Sequence, residues 1–77
     1  MIQLVNKQHR EGRLAGKWDL YVHDGSVEGD LLVFSQQGYE NRLDAEGIAE
    51  RLFTGTGEPV DLLTLPANGQ GSHRMIR

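Results

Sequence analysis

The chain contains no cysteine, which excludes disulfides and thiolate zinc sites as staples for its fold. Long apolar runs are missing too. The longest unbroken one is Leu31 to Phe34, far short of the roughly 20 residues that cross a bilayer as a helix, so no membrane contact is expected. No basic segment leading into an apolar one marks a secretory leader, and no Asn-x-Ser/Thr acceptor site occurs. The expected location is the reducing cytoplasm. Nor does any repeat, low-complexity tract or linker divide the 77 residues, so a single domain over residues 1–77 is expected. A chain this short buries only about 60% of the surface its unfolded form exposes. With disulfides and thiolate metal sites excluded, oligomerisation is the expected source of extra stability.

What is present is unevenly distributed charge. The net charge is -3, yet residues 1–18 hold Lys7, Arg10, Arg13 and Lys17 against Glu11 alone, whereas residues 19–61 hold ten acids against Arg42 and Arg51. The last stretch adds only Arg74 and Arg77. Basic ends therefore flank an acidic middle.

Periodicity supplies the fold. Ile2 and Leu4 alternate in a short first strand over residues 1–5, followed by a polar, Gly-punctuated loop or arm over residues 7–17. "KWDLYVHDG" alternates Trp18, Leu20 and Val22 with Asp19, Tyr21 and His23, a period of two that ends at Asp24-Gly25. "GDLLVFSQQG" is apolar without alternation, the pattern of a strand with two apolar faces. A helix is then predicted from a cap at Asn41, with Ala45, Ile48, Ala49, Leu52 and Phe53 along one stripe and Gly47 allowing close contact with a sheet. Gly55 is expected to end it in a left-handed conformation. "VDLLTL" reads as a strand and "SHRMIR" as its hairpin partner across a turn centred on Asn68-Gly69. The predicted class is α+β, a largely antiparallel sheet of about five strands in the order β-β-β-α-β-β, with one helix packed on one face.

This order and several of its residues resemble the small bacterial repeat of YegP-like proteins, a family of uncharacterised function. The resemblance covers residues 16–53: a Trp-bearing strand "GKWDLYV", a second strand "LLVFS", the junction "QGY" and the helix "LDAEGIAERL". The tail "PVDLLTLPANGQGSHRMIR" resembles the closing hairpin of related short proteins. These are folding residues rather than a catalytic signature. Members commonly carry two copies in tandem, where this chain has one, and the arm at residues 7–17 is an addition. In size and style the chain also resembles small accessory proteins of actinobacterial phages.

Candidate chemistry is sparse. "GTG" at residues 55–57 lacks the Lys-Ser/Thr that a phosphate-binding loop requires. His9, His23 and His73 show no metal-ligand spacing, and Ser26, Ser35 and Ser72 sit in no nucleophile motif. The helix N-terminus at Asn41 already has Asp44 and Glu46 in its first turn, so an anion would be repelled there. A domain this small has little room for a pocket of about 300 Å³ beside its core. No catalytic residue, cofactor or metal is expected. The informative feature is excess apolar strand surface: one helix covers one face, leaving Tyr21, Leu32, Phe34, Leu63 and Leu65 as interface candidates on the other. The expected function is a non-enzymatic protein-interaction module, pairing as a homodimer or with another protein. The alternative is a nucleic-acid-binding accessory protein using Lys7, Arg10, Arg13, Lys17, Arg74 and Arg77.

Overall fold

A computed structural model describes residues 2–23, 30–32, 37–53, 55 and 57–76. Its elements are β1 (Ile2–Gln8), β2 (Trp18–His23), β3 (Asp30–Leu32), α1 (Arg42–Phe53), β4 (Val60–Leu65) and β5 (Ser72–Met75). The strands form one mixed sheet in the order β3-β2-β1-β4-β5. The α+β class and the single helix agree with the sequence reading. One pairing does not: β1 runs parallel to β4, while β1/β2, β2/β3 and β4/β5 are antiparallel. The cause is α1, because a chain that leaves the sheet after β3, crosses as a helix and re-enters at β4 can return in the direction of β1.

Strand alternation and register decide which side chains share a face. Leu4 lies opposite Val22 on one side and Leu62 on the other, and Asn6 lies opposite Leu20 and Thr64. These residues face α1. Leu4, Leu20, Val60 and Leu62 form the core with Ala49, flanked by Ile2, Val22, Ile48 and Ile76. Ala45 and Ala49 are fully buried, and their small side chains let the helix backbone approach the sheet. Asn41 takes the position before the helix; its carbonyl accepts from the Asp44 N–H, and its amide donates to the Asp44 carboxylate at 3.4 Å. Asp44 in the first turn and Arg51 in the last both suit the helix dipole.

Several expectations need correction. β1 continues through Lys7 and Gln8, and of the two readings of the polar stretch the loop holds: residues 9–17 are the closed tip of the β1-β2 hairpin, with His9 N–H donating to Lys17 O and Gly16 N–H to His9 O. Asn6 is wholly buried. Its amide donates to Arg42 O at 3.0 Å, which anchors the helix start, while its Oδ1 has no partner among the described residues. Leu52 is 47% exposed and stands outside the core, although the stripe placed it inside; the Phe53 side chain lies outside the described residues. The left-handed glycine after the helix is Gly57 (φ 80°), not Gly55. The β4-β5 hairpin closes through residues 66–71 with its turn at residues 67–69, as expected, although neither Asn68 nor Gly69 has positive φ. The expected turn at Asp24-Gly25 and the strand continuation through Val33 and Phe34 lie outside the described residues.

Gly47 also departs from expectation, since a Cβ built there meets nothing within 4 Å and its φ is not positive. Close packing is therefore not its purpose. Gly47→Ala is expected to stabilise the protein by about 0.5–1 kcal/mol through lower unfolded-state entropy and better helix propensity. In a chain of this size that raises the melting temperature by a few degrees in scanning calorimetry. A lower melting temperature would mean that Gly47 serves something other than the helix.

Candidate functional site

The face opposite α1 carries the other set of alternating residues. Across the sheet, His23, Gln3, Asp61 and Met75 form one row, and Tyr21, Val5, Leu63 and His73 form the next. Asp19, Lys7 and Leu65 make a third. No second layer covers this face among the described residues. Even so, Val5 is only 5% exposed. On this face lies an open concavity of about 320 Å³, with Val5, Leu63 and Leu65 among its lining and Gln3, His23, Asp61 and His73 as its polar groups. The size exceeds what the sequence reading allowed for, because it lies on the open face instead of beside the core.

At one rim His73 Nδ1 donates to the Asp61 carboxylate at 3.2 Å, which fixes the imidazole plane and leaves Nε2 pointing away from that partner. Chemically, such a pair can orient a ring or relay a proton. Of the candidate serines, Ser72 lies opposite Thr64 and therefore on the helix side of the sheet, and Ser26 and Ser35 fall outside the described residues. Among the described residues no group of three or more His, Cys, Asp or Glu side chains is placed to hold a metal ion. Among the described residues no helix is long and apolar enough to cross a membrane.

One end of the open face is closed by a buried carboxylate. Asp19, 2% exposed, accepts hydrogen bonds from the backbone N–H groups of Gln37 and Gly38 at 2.8 and 3.0 Å and from His9 Nε2 at 2.7 Å. A carboxylate only accepts, so the His9 proton must sit on Nε2. Trp18 and Tyr39 exchange two backbone hydrogen bonds beside it. Gly38 has φ 67°, and a Cβ there would come within 2.8 Å of Leu14 Cδ2, so the hairpin tip packs directly onto the returning strand. The tip thus tucks against residues 37–39, and among the described residues no layer lies over Leu63 and Leu65.

Of the interface candidates, Tyr21, Leu63 and Leu65 share the open face and are half-buried. Leu32 is opposite Tyr21 in the β2/β3 register, and Phe34 lies outside the described residues. Val5, His73 and Met75 were missed, although the alternation in "VDLLTL" and "SHRM" was a usable signal for the strands that bear His73 and Leu63. The basic candidates do not gather. Arg74 lies across the helix side, 3.3 Å from Glu46 and 3.5 Å from Glu50, and Lys17 pairs with Glu40. Lys7 is exposed on the open face, Arg10 and Arg13 are exposed in the hairpin tip, and Arg77 is outside the described residues. No protein-family model, curated protein or solved structure matches the chain.

Proposed function

We propose that this chain is a non-enzymatic interaction module that self-associates through the open face of its sheet. The observation that carries this reading is the apolar group of Val5, Tyr21, Leu63 and Leu65 on a sheet face that no second layer covers among the described residues. Contiguous apolar surface on a small domain marks an interface more often than not. The resemblance to a family that commonly joins two such units supports the same reading and suggests a bacterial or phage accessory role. A nucleic-acid role has less support, because Lys17 and Arg74 would first have to leave their carboxylate partners.

Strand spacing sets the strength. Four strands about 4.8 Å apart and some six residues long give a footprint of about 400 Å² per copy. Stable complexes use about twice that, so the dimer should be weak, with a dissociation constant of about 10 µM or above. Light scattering should show the mass rising from 8.6 kDa as concentration passes through the micromolar range. Leu63→Glu should hold it at the monomer value with an unchanged circular dichroism spectrum, since a charge on this face resists desolvation. A wild-type mass that stays at 8.6 kDa up to millimolar concentration would refute self-association.

A further inference from the structure

The order of side chains on the open face is self-complementary, and this tells how a second copy sits. β1 and β4 run parallel at the middle of the four long strands, and β2 and β5 flank them, each antiparallel to its neighbour. A two-fold axis lying in the interface plane along the β1/β4 boundary therefore exchanges β1 with the partner's β4 and β2 with the partner's β5, keeping every strand direction matched. This is the aligned mode in which sheets pack face to face, about 10 Å apart. The concavity is centred on the same boundary, with Gln3, Val5 and His23 on one side and Asp61, Leu63 and His73 on the other.

We infer that the partner filling this face is a second copy docked about that axis, an inference that rests on the self-association reading above. Row by row, Val5 then meets the partner's Leu63, and Gln3 presents its amide donors to the partner's Asp61. Tyr21 meets the partner's His73. Met75, 51% exposed and one strand beyond the concavity, covers the partner's His23 at its far rim. Apolar groups meet apolar groups near the axis, and the one carboxylate there meets a donor rather than its own copy. The charge distribution agrees: Asp44, Glu46 and Glu50 lie on the helix side, so two chains of net charge -3 that join open faces hold these acids apart.

Because the chain has no cysteine, thiol crosslinking tests this geometry directly. His23 and Met75 are exposed and lie in one row, three strand spacings apart, or about 14 Å within a chain. An intramolecular disulfide between them is out of reach. The double variant His23→Cys with Met75→Cys, treated with a short bismaleimide that spans the gap between the sheets, should give a covalent dimer in high yield. Each single variant should give several-fold less, because its thiol lies as far from the partner's equivalent. Tyr21→Cys with His73→Cys is the second pair and should behave alike. If the wild type dimerises in solution but neither double variant crosslinks above its singles, this docking is overturned while self-association stands. A monomeric wild type would remove both.

Discussion

Asp19→Ala is expected to lower the unfolding free energy by about 3 kcal/mol, a quarter or more of the total stability of a chain of this length. The estimate follows from what the carboxylate holds. Two backbone N–H groups and an imidazole converge on it at 2.7 to 3.0 Å, and hydrogen bonds to a charged acceptor contribute about 1.5–3 kcal/mol each before solvent replaces any of them. Gln37 is exposed, so water will satisfy part of what alanine leaves unpaired, which brings the sum down. Against a total stability of about 4–12 kcal/mol for a chain of this length, the loss is severe. His9→Ala removes one of the three contacts and should cost about 1 kcal/mol. Urea unfolding of both variants decides the matter. Equal midpoints for Asp19→Ala and the wild type would show that the segment around Gly38 is held by other contacts.

The second large effect is in the core. Leu62 is fully buried on the helix side of β4, in the core with Leu4 and Ala49, so Leu62→Ala should cost about 2–5 kcal/mol, the sum of lost transfer energy and the cavity left behind. Leu52→Ala makes the informative comparison. Its side chain is 47% exposed on the last helical turn, and the expected cost is below about 1 kcal/mol. A loss at Leu52 as large as that at Leu62 would put the last turn of α1 back onto the sheet.

Leu52 shows where sequence reading succeeds and where it stops. Its angular phase is right, since it lies seven residues from the buried Ala45, and periodicity reports angle faithfully. Periodicity says nothing of what lies beneath each turn, so it could not show that Leu52 stays 47% exposed. The same division runs through β2. Alternation placed Trp18, Leu20 and Val22 on the helix side, but it also sent Asp19 outward with Tyr21 and His23, where a carboxylate would be solvated. Asp19 is buried because residues 37 and 38 return to it across 18 positions, and no local pattern encodes that. Asn6 is the clearest case. Its neighbours Lys7, Gln8 and His9 read as a polar loop, yet Asn6 lies under the helix start because Arg42 O takes its amide proton. Among the interface candidates, Tyr21, Leu63 and Leu65 were legible because strand parity alone assigns them to the face opposite the helix.

The parallel pairing of β1 with β4 bears on how the chain is made. Ile2 and Leu4 find their second strand neighbours only at Val60 and Leu62, so β1, made before the other four strands, is among the last to be completed. Contacts this distant in sequence slow folding, because the loop must close before its strands reward it. Through most of synthesis β1 can have β2 on one side and an open edge on the other. An apolar strand in that state is a template for any neighbouring nascent chain, and the gap between emergence of β1 and arrival of β4 is when this protein is most exposed to mispairing.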